Sequence, residues 1–187
     1  MTRARAAAGS LVFLVVEPGV IAGLIPGLLT GWDVADPPWP LQLVGGLLIA
    51  AGVLVLLQAF ARFVTEGLGT PAPIAPTEHL VVGGLYRYVR NPMYIAVVAA
   101  VVGQALIQGQ TSLLWYALAI ALLQAGFVHL VEEPELRQRF GAEYDAYRAA
   151  VPAWWPRLRP WRGSFGSGAA RRSGGQQRVA AGAGRDQ

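Results

Sequence analysis

The chain contains no cysteine and no lysine, and its only histidines are His79 and His129. The lack of cysteine excludes disulfides, thiolate catalysis and cysteine-ligated metals. The lack of lysine excludes a lysine Schiff base as a reaction intermediate. Two histidines are too few for a histidine-rich metal site, so we expect no metal cofactor.

Charge is also scarce, because 14% of the 187 residues are charged whereas 54% are hydrophobic. This balance is too apolar for an ordinary soluble domain and is typical of a polytopic membrane protein. The formal net charge is +4, and all basic residues are arginines. We attribute these arginines to the cytoplasmic flanks of membrane helices and to a disordered tail, so we expect no nucleic-acid partner.

Four apolar runs predict an all-α, polytopic integral membrane protein with about four transmembrane helices. They cover residues 11–30, 41–63, 93–107 and 113–131. The first run follows two arginines, as in a signal peptide, but its length of about twenty residues favours a retained helix. Glu17 lies inside this run, where an ionisable group either faces a partner or cavity or extends to the interface. In the second run, the small residues Gly45, Gly46 and Gly52 predict close contact with another helix.

The distribution of charge predicts the orientation of these helices. Arginines flank alternate ends of the four runs, whereas the loop at residues 31–40 carries Asp33 and Asp36 and no arginine. Positive residues accumulate on the cytoplasmic side of membrane proteins. We therefore expect an integral protein of a bacterial-type inner membrane, with both termini in the cytoplasm.

A polar cluster at residues 78–94 separates the second and third apolar runs. It combines glycines, which let the backbone approach a ligand, with arginines, which bind carboxylates or phosphates through a planar fork. An Asn91-Pro92 pair marks the start of the next helix. The residues that we expect to face a ligand through backbone groups, aromatic rings or positive charge are His79, Leu80, Val81, Tyr86, Tyr94 and Arg90.

A second polar cluster, Glu132-Glu133-Pro134, ends the last apolar run. We expect one helix to end here and another to start at Pro134, so that Glu133 suits the start of the second helix. Glu132 is then available to hold a cationic group of a ligand. His129, one turn before Glu133, is either a hydrogen-bonded anchor or a base or substrate contact. We expect both clusters to close on one small-molecule ligand at the cytoplasmic face, with Arg90 and His129 as the catalytic residues.

The rest of the chain divides into a helix, an interfacial segment and a tail. Residues 132–150 predict one amphipathic helix at the inner interface, because Leu136, Phe140, Tyr144 and Tyr147 recur at helical spacing. Tryptophans and prolines at residues 151–161 predict an interfacial segment. Residues 163–187 are rich in Gly, Ala, Ser and Arg and predict a disordered tail, which leaves 1–162 as the folded domain.

Two separated motifs resemble the isoprenylcysteine carboxyl methyltransferase family and its broad bacterial relatives, a superfamily that includes phospholipid methyltransferases. The likeness extends over roughly residues 63–156. The matching positions are Leu80, Val81, Gly84, Tyr86, Arg90, Asn91, Pro92 and Tyr94 in the first motif, and Glu132, Glu133, Leu136, Phe140, Gly141, Tyr144, Tyr147, Val151 and Pro152 in the second.

The resemblance implies a membrane methyltransferase that uses S-adenosylmethionine in a cytoplasmic pocket. Carried over by position, the cofactor-binding residues are Glu78, His79, Leu80, Val81, Tyr86, Asn91, Pro92, Tyr94 and Glu132. Glu132 holds the amino group of the methionine part. A lipophilic small molecule or lipid enters laterally from the bilayer as the methyl acceptor, and O-methylation of a carboxylate is the first expectation. No protein partner is evident.

The chain departs from this family at two positions. Asn91 replaces a histidine before the motif proline, so it keeps hydrogen bonding without a charge. Val128 replaces the arginine that binds the substrate carboxylate four residues before the first motif glutamate. The alternatives are therefore a phospholipid N-methyltransferase, an NADPH-dependent membrane reductase of the sterol reductase type, and a non-catalytic relative.

Overall fold

The computed structural model of the protein describes residues 16, 18–62, 65–66 and 79–163, and these ranges contain helices and no strand. Glu17, Glu78 and residues 164–187 lie outside the described residues, so the expectations for them stay predictions. The helices are α1 (Val20–Thr30), α2 (Trp39–Arg62), α3 (Pro92–Gln108), α4 (Thr111–Phe127), α5 (Glu133–Phe140) and α6 (Ala142–Ala150). A 3-10 turn, Gly84–Arg87, precedes α3, and a π-helical turn, Val128–Glu132, joins α4 to α5.

Helices α2 and α3 pack closely in antiparallel orientation. A Cβ atom on Gly45 would lie 2.5 Å from the carbonyl oxygen of Gly103, and one on Gly52 would lie 2.8 Å from that of Ala96. These distances are too short for any side chain, so both glycines are required for the helices to approach. A Cβ atom on Gly46 would meet nothing within 4 Å. The predicted close contact is thus confirmed for Gly45 and Gly52 but not for Gly46.

Helix α1 is hydrogen-bonded to neighbouring helices through carbonyl groups that its proline leaves without a donor. Because Pro26 has no N–H, the carbonyl groups of the turn before it lose their usual donor. This turn is π-helical, with the Ile25 N–H bonded to Val20 O. The freed carbonyls accept side chains of neighbouring helices instead: Gln104 Nε2 donates to Ala22 O at 2.6 Å, and Tyr116 Oη donates to Ile21 O at 2.8 Å.

The predicted boundary at Pro134 is wrong, because the helix does not end there. The Glu133 N–H bonds to Val128 O, so a wider π-helical turn leads directly into α5. Pro134 lacks the N–H that an α-helical bond to Leu130 O would need, and a local π turn accommodates such a gap. Glu133 therefore does not begin a separate helix.

The predicted single helix over residues 132–150 is also wrong. Gly141 adopts φ +52° and ψ −126°, a backbone conformation outside the helical region, and it separates α5 from α6. The expected face nevertheless comes together. Tyr144, Tyr147 and Val151 form a buried cluster against which Leu136 and Phe140 pack.

In the part of the chain that the structure describes, two helices are long and apolar enough to cross a membrane: Trp39–Arg62 and the continuous helix Thr111–Phe140. Val20–Thr30 and Pro92–Gln108 are shorter apolar helices. Because α2, α3 and α4 alternate in direction, the end of α2, the start of α3 and the π-helical turn gather at one end of the bundle. Both polar motifs lie at this end.

Candidate active site

The first motif is built around the 3-10 turn, whose buried residue is Tyr86. The Tyr147 hydroxyl donates a hydrogen bond to Tyr86 O at 2.7 Å. Burial raises the pKa of the Tyr147 phenol and raises that of the Tyr86 phenol well above its usual value. Both phenols therefore stay protonated at neutral pH, which keeps Tyr147 a donor and fixes helix α6 to the turn.

The segment after α6 wraps around the first motif. This segment, residues 151–161, has no helix of its own, and four backbone hydrogen bonds join it to the motif. The four N–H···O bonds are Arg90 to Pro152 at 2.9 Å, Asn91 to Ala153 at 3.3 Å, Arg157 to Tyr88 at 3.0 Å and Trp161 to Arg87 at 2.9 Å. The segment predicted to be interfacial thus forms one wall of the site.

Arg90 links the two motifs. Its Nη1 lies 2.6 Å from Glu133 Oε1 and donates to the Tyr144 hydroxyl at 3.1 Å, while its Nε donates to Val151 O at 3.0 Å. The other oxygen of Glu133 lies 3.2 Å from Nε of Arg148. The side chains of Arg90 and Glu133 are each 11% exposed. This arrangement makes Arg90 a structural clamp between the motifs.

Glu132 has a different set of neighbours from Glu133. Its Oε2 accepts a hydrogen bond from the Tyr94 hydroxyl at 3.0 Å. The Tyr94 ring lies 6.4 Å, centroid to centroid, from the ring of Trp154, which the wrapping segment supplies. A carboxylate beside two aromatic rings is suited to bind a cationic group.

Asn91 adds an unused donor at the start of α3, the helix that carries Tyr94. Its side chain is buried, and Nδ2 has no hydrogen-bond partner among the described residues. Asn91 and Tyr94 lie within the first turn of α3, which Pro92 begins. The amino-acid end of S-adenosylmethionine carries both an ammonium and a carboxylate. An acceptor at Glu132 and an unpaired donor at Asn91 fit these two groups.

The contacts of the other predicted site residues do not indicate what each of them binds. Val81 is buried with Ala59 and Tyr86, and Leu80 packs against the cluster of Tyr144, Tyr147 and Val151. His79 is exposed. The side chain of His129 is 73% exposed, with Nδ1 lying 3.8 Å from Glu133 Oε2. The described residues contain no group of acidic and histidine side chains that could hold a metal ion.

Sequence reasoning missed the partners that order the site. Arg148 and Trp154 were not singled out, and Glu133 was assigned to a helix start. Tyr144 and Tyr147 are predicted as members of an apolar face and of the second motif, but without the partners of their hydroxyls, which bond to Arg90 and to Tyr86 O. The available signal was chemical: a tyrosine on an apolar face needs a partner for its hydroxyl when buried.

The family model for phospholipid methyltransferases matches residues 41–143, more than half of the 187-residue chain. The match runs from α2 to the start of α6 and includes the first motif and the part of the second motif from Glu132 to Gly141. No curated protein matches the chain.

Proposed function

The chain belongs to the phospholipid methyltransferase family, and from this premise we propose that it transfers a methyl group from S-adenosylmethionine to the amine of a phospholipid headgroup. Methyltransferases of this family typically use that cofactor. The observation that carries the proposal is the pairing of the Tyr94–Glu132 hydrogen bond with the unpartnered Asn91 amide. These groups match the amino-acid end of the cofactor.

S-adenosylmethionine, when bound, supplies a methyl group activated by a positively charged sulfur. The protein then has three tasks. Glu132 and Asn91 hold the amino-acid end, the rings of Tyr94 and Trp154 cover it, and the Arg90–Glu133 pair keeps the wall of residues 151–161 in place. Positioning and exclusion of water account for most of the rate in such a transfer.

An amine acceptor must lose a proton, because only its lone pair attacks the methyl carbon. Glu133 is engaged by Arg90 and Arg148, whereas the imidazole of His129 is accessible on the same helix. We assign the removal of the proton to His129. The cofactor, held by Glu132 and Asn91, would supply its methyl group to the nitrogen lone pair that His129 exposes, and the imidazole would keep the proton.

O-methylation of a carboxylate is the weaker candidate. A carboxylate acceptor needs a cation to orient it, and the position of the family's substrate-binding arginine is occupied by Val128, which is buried. An amine acceptor needs no such cation. We further propose that α1 to α4 are the four spans, and that both motifs lie in the cytoplasm.

The first test measures cofactor binding. The detergent-purified full chain is titrated with S-adenosylhomocysteine by calorimetry, with NADPH as the control ligand. We expect Glu132→Gln to weaken binding about tenfold or more, because a charge-assisted hydrogen bond contributes about 1.5–3 kcal/mol. Glu135→Gln is the matched control, because Glu135 lies on the exposed side of α5 and should leave affinity unchanged.

The second test identifies the acceptor. Vesicles of phosphatidylethanolamine and a prenylated cysteine are offered in parallel with methyl-labelled S-adenosylmethionine. Label in the phospholipid that disappears in His129→Ala supports the proposal. Label only in the prenylated cysteine would contradict N-methylation and favour O-methylation. Binding of NADPH alone in the first test would favour the reductase alternative.

A further inference from the structure

A recess lies between α2 and the 3-10 turn. It has a volume of about 570 Å³ and is open to the outside. We call it the α2 groove: one wall is formed by Leu54, Val55, Gln58 and Arg62 of α2, and the other by Leu85 and Arg87 of the turn. None of these residues takes part in the proposed methyl transfer.

The α2 wall of the groove changes from apolar to cationic along the helix. Leu54, Gln58 and Arg62 follow one another at a spacing of four residues, so they lie on one face. At 1.5 Å per residue this stripe extends over about 12 Å. Leu54 is exposed, whereas Arg62 lies in the last turn of α2. The polarity of this stripe matches that of a phospholipid, from acyl chain to headgroup.

The groove carries an excess of positive charge. Arg62 Nη1 lies 2.6 Å from Glu66 Oε1, and the other oxygen of Glu66 accepts the Gly83 N–H at 2.9 Å. Arg87 donates from Nε to Trp161 O at 2.6 Å. Within the described part of the chain, its two terminal nitrogens have no partner. Glu66 thus pairs with Arg62, and no described carboxylate forms an ion pair with Arg87, which leaves a cation to bind an anion.

Gln58 contributes a polar group that also has no partner. Its Oε1 is enclosed by protein and accepts no hydrogen bond from any described residue. The amide lies against Gly84, where φ is +56° and where a Cβ atom would collide with Gln58 Nε2. A buried polar atom that stays unpaired destabilises the protein. A ligand group that donates a hydrogen bond, such as a headgroup hydroxyl of phosphatidylglycerol, would give this oxygen a partner.

We propose that the α2 groove binds a membrane phospholipid, with the phosphate between Arg62 and Arg87 and an acyl chain along Leu54 and Val55. Arginine binds phosphate through two parallel N–H···O bonds, and basic pockets at the cytoplasmic ends of membrane helices are suited to lipid headgroups. Inorganic phosphate would use only the cationic end of the stripe. The proposal concerns binding and holds whichever acceptor is methylated.

The test measures the affinity of the purified full chain for dioleoylphosphatidylglycerol in mixed micelles, by native mass spectrometry and by the lipid-induced rise in melting temperature. Arg87→Gln and Gln58→Leu should each weaken binding about tenfold. The matched control is Arg139→Gln, because Arg139 also lies near a glutamate four residues away but is remote from the groove. This control should bind like the wild type.

Gln58→Leu separates ligand binding from a structural role. It removes a buried unpaired amide, so we expect it to melt at a higher temperature than the wild type without lipid, yet to lose the lipid-induced rise. Equal lipid binding by all four proteins would overturn the proposal, as would an equal effect of inorganic phosphate. Binding of S-adenosylhomocysteine, measured on the same samples, reports on the active site separately.

Discussion

At the scale of single residues, Glu132 and Glu133 show how neighbours in sequence acquire different tasks. Successive residues on a helix point about 100° apart, so one carboxylate reaches Tyr94 and the other reaches Arg90. The first remains available to a cationic ligand. The second is neutralised by two arginines and fixes the wall that Trp154 contributes to. Glu133 therefore joins the two motifs, whereas Glu132 is the carboxylate that we propose holds the ligand.

Replacement of Arg90 tests this division of tasks. We expect Arg90→Gln to lower the free energy of unfolding by about 3–5 kcal/mol, because it leaves the largely buried Glu133 with only one of its two arginines. Thermal unfolding in detergent, followed by circular dichroism, measures the change. Arg137→Gln is the matched control, since its ion pair with Asp145 is exposed and should contribute little to stability.

Similar unfolding of the two variants would contradict the structural assignment of Arg90. In that case a loss of methyl transfer by Arg90→Gln would be assigned to direct contact with the reactants, as the sequence motif predicts. A large loss of stability with intact S-adenosylhomocysteine binding at low temperature would instead separate the clamp from the cofactor site.

The site residues that could be predicted from sequence are those whose chemistry is visible in the motif itself. Tyr94, Asn91 and Glu132 were predicted to face a ligand, and the structure brings Tyr94 and Glu132 within 3.0 Å. The pairing of Arg90 with Glu133 was not predicted, because no periodicity relates side chains that are 43 residues apart. Gln58 and Arg62 were missed although their spacing of four was visible.

At the scale of the elements, the apolar runs predicted the cores of the helices, and the prediction failed near two prolines and at Gly141. Helix α2 was expected over residues 41–63 and covers Trp39–Arg62, while α3 was expected over 93–107 and covers Pro92–Gln108. The π-helical turns before Pro26 and Pro134 were not foreseen. A missing N–H predicts that a bond is lost, but the surrounding helices determine how the backbone compensates.

The contact between α2 and α3 gives the element-scale prediction. Gly45→Ala should destabilise the protein by about 1–3 kcal/mol, because its methyl group would displace the backbone at Gly103. Gly46→Ala places the same methyl group one residue further, where nothing lies within 4 Å. It should be neutral or should stabilise the helix by up to about 1 kcal/mol. Melting temperatures of both variants in one detergent provide the comparison.

The comparison of Gly45→Ala with Gly46→Ala separates helix packing from helix propensity, since both substitutions raise the helix propensity of α2 by the same amount. If Gly45→Ala melted at or above the temperature of Gly46→Ala, α2 and α3 would not be in the described contact. The α2 groove would then also be in doubt, because its wall depends on the position of α2.

At the scale of the whole molecule, the two ends of the bundle differ in charge. All described arginines lie at the end that carries the motifs, from Arg62 to Arg162, and the described part of the opposite end carries Asp33 and Asp36. The Ala35 N–H bonds to Gln108 O at 2.8 Å, which places the loop before α2 beside the turn between α3 and α4. This asymmetry predicts that the motif end faces the cytoplasm.

The complete lack of cysteine makes this orientation directly testable. Single cysteines at Asp33 and Ser112 mark one end, and cysteines at Arg139 and Arg159 mark the other; all four positions are exposed. In right-side-out vesicles of a bacterial inner membrane, an impermeant maleimide should label the first pair at once and the second pair only after permeabilisation. The unsubstituted chain, which has no thiol, is the control for background.

Labelling of the second pair alone would invert the topology and place the motif end away from the cytoplasm, where S-adenosylmethionine is made. Labelling of all four from outside would exclude a membrane-spanning bundle, and with it the lateral entry of a lipid that both proposed sites require.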